Sequence, residues 1–316
     1  MTAALLSLRQ NRLLPSYLIV LALIVILIVA GSFISDRFLT WRNFSTLFQQ
    51  MVVLGLASLG QTVVMVAGCI DLALGALIGT VTVFLANFLE WRPDLVWLAI
   101  ALALVGSTAI GALNGILTVV LRVHPLIVTL GMSSVLLGGT LLYRKEPGGS
   151  VPPIFEEFAY GRVAGLPIPA LALLVIFAVA GIWLQRSKSG RAIYFVGGNA
   201  EAARLNGISV SRVIIVAFAI SGFCAGLAAI FLTARTGVGD PRIGAALTLQ
   251  SITPVVVGGT ILAGGRGGVL GTLLGVFLMS MLNNLLNYTN VSSYYQWVIQ
   301  GLIIVAAVGL HARKRG

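Results

Sequence analysis

Charged residues are scarce in this sequence of 316 residues: Asp, Glu, Lys and Arg make up 9% of it, against about 25% in an average soluble domain. Hydrophobic residues make up 58%, and the mean hydropathy is +1.03. A soluble fold could not bury this much apolar surface. The apolar runs are long and continuous, which excludes a transmembrane β-barrel with its alternating segments of about ten residues. The composition therefore predicts an all-α polytopic membrane protein.

Cysteine and histidine are also rare, with two of each. Cys69 and Cys224 lie in or beside apolar runs, whereas His124 and His311 are far apart at predicted membrane boundaries. This excludes a disulfide framework and a metal cluster with recognisable spacing. No lysine follows a glycine-rich phosphate loop, so there is no Walker A motif. We expect no catalytic site, no metal site and no bound cofactor, and the energy for active transport would come from an ion gradient or a separate ATPase.

Ten apolar segments each approach the roughly 20 residues that a bilayer requires. They are 15–35, 47–68, 70–89, 95–121, 125–142, 166–185, 212–234, 247–264, 267–288 and 294–311. The first lacks a small-residue cleavage site, which favours a membrane span over a cleaved signal peptide. Residues 1–316 are therefore predicted to form a single transmembrane domain of about ten helices.

The basic residues orient these spans. With both termini inside, the cytoplasmic side receives twelve of the 20 Lys and Arg residues and the outside receives eight, a mild positive-inside bias. The inner set is Arg9, Arg12, Arg122, Arg186, Lys188, Arg191, Arg204, Arg212, Arg266, Arg313, Lys314 and Arg315; the outer set is Arg37, Arg42, Arg92, Arg144, Lys145, Arg162, Arg235 and Arg242. The net charge of +11 thus indicates membrane topology rather than nucleic-acid binding.

Two boundaries between spans, at 68–71 and 264–267, are only a few residues long and rich in glycine. They fit short loops, and they also fit breaks in discontinuous helices, which occur at membrane depth only where protein or water surrounds the backbone. The sequence GALIGT at 75–80 resembles GGVLGT at 267–272, 192 residues later. This similarity is consistent with an internal repeat of the kind found in transporters, and equally with the small-residue spacing that packs membrane helices.

The polar segment 185–212 interrupts the apolar sequence and must lie outside the bilayer. Asn199 can cap a short helix with the sequence AEAARL, and Gly207 can end it. A short helix at this position is a site at which a soluble partner could bind and transmit a movement to the spans. On the other side, the stretch 143–165 mixes Pro, Gly, aromatic residues and charges of both signs. It is either a plain connector or part of a dock for an external protein.

Polar residues within the spans are almost all neutral. The acid at predicted membrane depth is Asp71, which fits a cap for the following helix and also a coupling or ligand site. Neutral amides suit a hydroxyl-rich, uncharged solute, although they also hold helices together. Asn283 and Asn287 share a helix face and are the leading candidates for a hydrophilic lumen. The amides are Gln49, Gln50, Gln61, Asn87, Asn114, Asn283, Asn284, Asn287 and Gln300.

Four stretches, taken in order and spacing, resemble the permease subunits of bacterial sugar ABC importers of the ribose, xylose, arabinose and autoinducer-2 type. They are GCIDLALG at 68–75, NGILTVVLRVHPLIVTLG at 114–131, GGNAEAARLNGI at 197–208 and GGTILAGGRGGVLGT at 258–272. The resemblance runs over nearly the whole chain. It implies a multi-pass protein of the bacterial inner membrane, with cytoplasmic termini, that translocates a monosaccharide.

The resemblance also implies partners: a cytoplasmic ABC ATPase that uses ATP and Mg, a periplasmic or lipid-anchored sugar-binding protein, and a second permease subunit that makes a homodimer or heterodimer. It implies that the third stretch couples to the ATPase and that the first lines the pathway. The predicted ATPase-coupling residues are Gly198, Asn199, Glu201, Ala202, Ala203, Arg204, Gly207 and Ile208; the predicted pathway residues are Gln61, Asp71, Asn114, Asn283 and Asn287.

Other functions stay open at this point. They are an ion-coupled secondary carrier that uses Asp71, a passive channel, a scaffold protein and an importer of a non-sugar solute. The region before Gly258 reads TLQSITP at 248–254, where the resembling permeases carry two acidic residues, so the sequence does not name the sugar.

Overall fold

The computed structural model describes residues 2–303 except 164, 290, 293, 297 and 300, with side chains described from residue 17 onward. The described residues form α1 (Thr2–Ile34), α2 (Trp41–Val66), α3 (Leu74–Trp91), α4 (Val96–Leu121), α5 (Pro125–Tyr143), α6 (Pro153–Tyr160), α7 (Ile168–Arg186), α8 (Lys188–Gly198), α9 (Ala200–Leu205), α10 (Val210–Thr236), α11 (Gly244–Val257) and α12 (Val269–Tyr288). A 3₁₀ turn, Pro93–Leu95, precedes α4, and β1 (Arg162–Val163) pairs antiparallel with β2 (Leu166–Pro167).

Within the described part of the chain, eight helices are long and apolar enough to cross a membrane: α1, α2, α3, α4, α5, α7, α10 and α12. The prediction of an all-α polytopic membrane protein is confirmed. The predicted span 247–264 is wrong as a continuous helix, because α11 has 14 residues and a length of about 21 Å, less than the roughly 30 Å hydrocarbon core. The tenth predicted span, 294–311, lies mostly outside the described residues.

Helix α10 packs between α2 and α4 through contacts that leave no room for side chains. A Cβ on Gly111 of α4 would overlap the carbonyl oxygen of Phe218 and lie 2.9 Å from the Cα of Gly222. A Cβ on Gly60 of α2 would lie 3.1 Å from the Cα of Ser221. Small residues allow the backbones of membrane helices to approach closely, so glycine determines where α10 sits.

The short helix α11 is held between α3 and α12 in the same way. At its start, the carbonyl oxygen of Gly244 occupies the position that a Cβ on Gly75 of α3 would take. At its end, the carbonyl oxygen of Gly258 occupies the position that a Cβ on Gly271 of α12 would take. The two glycine-containing sequences with similar spacing therefore pack against opposite ends of one helix.

The segments 67–73 and 258–268 are irregular backbone between helices, and we call them the first break and the second break. The N–H groups of Gly68 and Gly259 donate to the carbonyl oxygens of Met65 and Val256, and both glycines have positive φ, 84° and 90°. This is the left-handed conformation that ends helices at glycine. The same termination at both sites agrees with an internal repeat, which stays a prediction.

The two ends of the bundle are distinct. At one end, the hydroxyl of Tyr160 donates to the carbonyl oxygen of Arg235, and Gly148 forms a bridge with Gly239. The stretch 143–165, predicted as a loop, contains α6 and the β1–β2 pair at this end. The opposite end carries both breaks, α8 and α9. Which of the two ends faces the cytoplasm stays a prediction.

Adding a methyl group to the α4–α10 contact should destabilise the fold. Gly111→Ala forces the α4 and α10 backbones apart, and we expect a loss of about 1–3 kcal/mol. Gly106→Ala on the same helix is the matched control, because a Cβ there meets no atom within 4 Å. The measurement is the melting temperature of the detergent-solubilised protein. Equal melting temperatures for the two variants would contradict the packing described here.

Candidate functional site

The end of the bundle that carries the breaks presents two short helices outside the spans. The hydroxyl oxygen of Ser187 accepts a hydrogen bond from the N–H of Gly190 at 2.8 Å and so caps α8. Neither this cap nor α8 itself was predicted from the sequence. The side chain of Asn199 accepts from the N–H of Ala202 at 3.0 Å and caps α9. Gly207, with φ of 76°, follows the end of α9. The prediction of a helix between Asn199 and Gly207 is confirmed.

Several predicted coupling residues of α9 point into solvent. Glu201 and Arg204 are 63% and 71% exposed and form an ion pair at 2.9 Å, which contributes at most about 1 kcal/mol at the surface. Ala203 is buried and anchors α9 to the bundle. Of the other predicted residues, Gly198, Asn199, Ala202 and Gly207 are exposed, and Ile208 is half-buried.

Two exposed apolar side chains in this region were not predicted. Leu205 on α9 is 78% exposed and Phe195 on α8 is 62% exposed. The sequence feature that could have identified Leu205 is an apolar residue on the polar side of a short capped helix. We call the exposed side chains of Phe195, Asn199, Glu201, Ala202, Arg204 and Leu205 the α8–α9 surface. An exposed apolar group between charged groups is typical of a surface that binds another protein.

The last turn of α8 contacts both breaks directly, at a place we call the glycine junction (Gly68, Gly197, Gly264 and Gly265). The carbonyl oxygen of Val66 occupies the position of a Cβ on Gly197, and the N–H of Gly265 donates to that same oxygen at 2.9 Å. A Cβ on Gly264 would lie 2.6 Å from the Cα of Gly68 and 2.7 Å from the oxygen of Gly197. Three segments that are distant in sequence therefore meet through backbone atoms.

Two of the predicted pathway residues, Gln61 of α2 and Asn114 of α4, are buried with 0% and 1% exposure. Neither the nitrogen nor the oxygen of either side-chain amide has a hydrogen-bond partner among the described residues. A buried polar group without a partner costs about 1–3 kcal/mol, and such groups are normally satisfied by water or a bound molecule. These amides are therefore available to hydrogen-bond water or a solute.

Asp71 lies in the first break and is 1% exposed. One carboxylate oxygen accepts from the N–H of Ala73 at 3.0 Å, and the other accepts from the hydroxyl of Ser221 on α10 at 2.8 Å. Asp71 therefore caps the turn that leads into α3, although the residue directly preceding the helix is Ala73. Within the described residues the carboxylate has no salt-bridge partner, since the ion pair found there joins Glu201 and Arg204.

Gln61, Asp71 and Asn114 lie around the same two turns of α10. Gln61 follows Gly60, which contacts Ser221, the residue that also donates to the carboxylate. Asn114 lies between two glycines of α4 that contact residues 215–222 of α10. The structure thus brings three of the five predicted pathway residues to one level of the bundle.

The other two pathway residues, Asn283 and Asn287, lie in the last turns of α12, near the opposite end. Asn287 is exposed, and its side-chain oxygen accepts from the amide of Gln296 at 2.8 Å. The deeply buried amide of this helix is Asn284, which exchanges two hydrogen bonds of 3.0 and 2.9 Å with Asn43 of α2. The buried position in this cluster therefore holds two helices together.

No group of three or more His, Cys, Asp or Glu residues in the described ranges is arranged to hold a metal ion.

Comparison with known proteins gives two kinds of match. The family described as "branched-chain amino acid transport system / permease component" matches residues 43–308. The chain is 35% identical over 294 residues to the ribose import permease protein RbsC of Bacillus subtilis (strain 168), covering 92% of this chain and 90% of the relative.

Two other relatives come from Escherichia coli. The identity is 33% over 291 residues to the D-allose transport system permease protein AlsC of strain K12, covering 91% and 89% of the two chains. It is 31% over 296 residues to the autoinducer 2 import system permease protein LsrD of strain HS, covering 91% and 89%. No solved structure matches.

Removing the hydroxyl that Asp71 accepts from should weaken the attachment of the first break to α10. Ser221→Ala leaves a buried carboxylate oxygen without its donor, and we expect a loss of about 1–3 kcal/mol. Ser134→Ala is the matched control, because Ser134 is exposed on α5 and bonds only within its own helix. The melting temperatures of both variants measure the difference. A Ser221→Ala protein as stable as Ser134→Ala would show that the bond carries no stability.

Proposed function

Since the chain belongs to the family of branched-chain amino acid transport system permease components, we propose that it is the membrane-spanning subunit of an ATP-driven importer that translocates a monosaccharide. As a permease component the chain is a transport subunit rather than an enzyme. The observation that carries the proposal is the exposed α8–α9 surface, which is in direct backbone contact with both breaks through Gly197. Relatives that are named as ribose and D-allose permeases support a sugar over a branched-chain amino acid.

The α8–α9 surface is the proposed dock for a cytoplasmic ABC ATPase, which binds and hydrolyses ATP with Mg. Leu205 and Phe195 would enter apolar pockets of the ATPase. Three exposed basic residues, Arg186, Lys188 and Arg191, lie in or directly before α8, so an acidic rim on the ATPase would complement this end of the protein.

The proposed position of the ATPase determines which end of the protein faces the cytoplasm. The α8–α9 end faces the cytoplasm of a bacterial cell, both termini lie on that side, and the protein is in the inner membrane. The end with α6 faces outwards and receives a periplasmic or lipid-anchored sugar-binding protein. Phe155 of α6 is fully buried, which supports an ordered platform at 143–165 rather than a loose connector.

The proposed pathway uses hydrogen-bonding groups without charge. Asn283 and Asn287 are at the outward end, where a solute would arrive, and Gln61 and Asn114 supply free amide groups deeper in the protein. Asp71 holds the first break in position at the same level as Gln61 and Asn114. Amides can donate to and accept from hydroxyl groups without a counter-charge, which suits a neutral sugar.

A second permease subunit, identical or related, is the proposed neighbour of α5. Only 11% of the residues in the α5 span are buried within one chain. A Cβ on Gly131, Gly138 or Gly139 would meet no atom within 4 Å. Small residues on an open helix face are typical of interfaces between membrane helices.

Reversing one charge on α9 should uncouple ATP hydrolysis from transport. Glu201→Lys breaks the ion pair with Arg204 and places a positive charge on the dock, yet Glu201 is too exposed for the change to unfold the permease. We expect a normal level of protein in the membrane and a loss of ATP-dependent uptake by about tenfold or more, within the range of typical coupling effects. The control is Asp94→Lys, an exposed acid at the other end. Normal uptake by well-expressed Glu201→Lys would overturn the role of α9.

The exposed leucine should contribute to binding of the ATPase. Leu205→Asp replaces an apolar contact with a charge, and we expect at least about a tenfold weaker association, since interface anchors cost about 2 kcal/mol or more when lost. Leu39→Asp is the control, because Leu39 is an exposed leucine at the outward end. The measurement is co-purification of the ATPase with each tagged permease. Equal recovery with both variants would show that Leu205 lies outside the dock.

A further inference from the structure

Helix α8 is attached to the second break at two separate points. Its last turn contributes Gly197, and a Cβ on that residue would lie 2.8 Å from the backbone nitrogen of Gly265. One turn earlier, the hydroxyl of Tyr194 donates to the carbonyl oxygen of Gly267 at 3.0 Å. A movement of the end of α8 would therefore act on the second break at both points.

The same turn of α8 is also in contact with the first break. The carbonyl oxygen of Val66 occupies the Cβ position of Gly197, and the carbonyl carbon of Ala67 would lie 2.9 Å from such a Cβ. Gly68, the next residue, has a positive φ and is followed by the turn that Asp71 caps. A displacement of Gly197 would therefore reach both breaks at once.

The contacts at Gly197 join backbone to backbone, and such contacts transmit displacement differently from side chains. A side chain can absorb a shift of an ångström by changing its rotamer, whereas a backbone that is pushed against a neighbouring backbone in van der Waals contact displaces that neighbour. Each break leads directly into a membrane-spanning helix, the first into α3 and the second into α12. A single push at Gly197 would thus act on the starting points of two spans.

We propose that Gly197 is a positioning residue for transport, which links displacement of the α8–α9 surface to simultaneous movement of both breaks. This inference rests on the proposed function, because it takes the ATPase as the source of the displacement. Gly197 touches no solute in this mechanism. It acts because it lacks a side chain, so that α8 can lie directly on Val66 and Gly265.

A native cysteine can report the movement. Cys69 lies in the first break beside Gly68 and is 6% exposed, and Cys224 lies on α10 and is 3% exposed. The complete transporter, with its ATPase and binding protein, is treated with a maleimide in the presence and absence of ATP and vanadate. Mass spectrometry of peptides then gives the labelling rate at each cysteine, and ATP hydrolysis is measured on the same sample.

In the unmodified complex we expect nucleotide to change the labelling rate of Cys69 by about fivefold or more, in the range of typical coupling, and to leave Cys224 unchanged. Gly197→Ala should keep ATP hydrolysis but remove the nucleotide effect on Cys69. The matched control Gly106→Ala should behave as the unmodified complex, because a Cβ there has open space. Tyr194→Phe, which removes only the hydroxyl, should reduce the effect.

The proposal is overturned if Cys69 labelling ignores nucleotide while the unmodified complex hydrolyses ATP, or if Gly197→Ala retains the full response. If Gly197→Ala does not assemble, the proposal is tested with the unmodified complex and Tyr194→Phe. A Cys69 labelling response in Tyr194→Phe equal to that of the unmodified complex then contradicts the proposal. Failure of the proposed function looks different: the ATPase would not associate with the permease, and binding protein would not stimulate hydrolysis.

Discussion

Backbone atoms of neighbouring segments touch at several places in this protein, and at each of them a glycine supplies the space. Gly111 meets α10, Gly75 and Gly271 hold the ends of α11, and Gly197 lies on Val66. Between membrane helices there is no hydrophobic driving force of the kind that packs a soluble core, so close van der Waals contact and hydrogen bonds provide the attraction. The arrangement of the spans depends on these contacts, because each fixes two segments at backbone distance.

Such packing also affects how the protein can move. Closely packed cores and interfaces switch between discrete arrangements rather than deforming gradually. The breaks are the places where the backbone is already freed from helical hydrogen bonds, and both meet α8 at the glycine junction. The buried amides of Gln61 and Asn114, with no partner among the described residues, lie beside α10 within the same set of helices. Repacking at the breaks would therefore change the surroundings of these amides.

Local signals in the sequence predicted local structure well. Asn199 and Gly207 give the limits of α9 because a side-chain cap and a left-handed glycine act within one turn. Hydropathy predicted most of the spans. It placed the end of α11 too late, because the apolar sequence continues through the irregular second break. Composition cannot distinguish helical from irregular backbone there. The amides of α12 show a further limit: Asn283 and Asn284 differ by 100° around the helix, and only the position of Asn43 on α2 determines which is buried.

The most direct test of the account is accumulation of labelled pentoses, hexoses and leucine by vesicles that contain this chain with its ATPase and binding protein, with and without internal ATP. The account predicts that one sugar accumulates against its gradient only when ATP is present. Flux that ignores ATP and collapses with an ion gradient would contradict it, and would favour a secondary carrier in which Asp71 is the ionisable group. Flux without accumulation under any condition would indicate a passive channel.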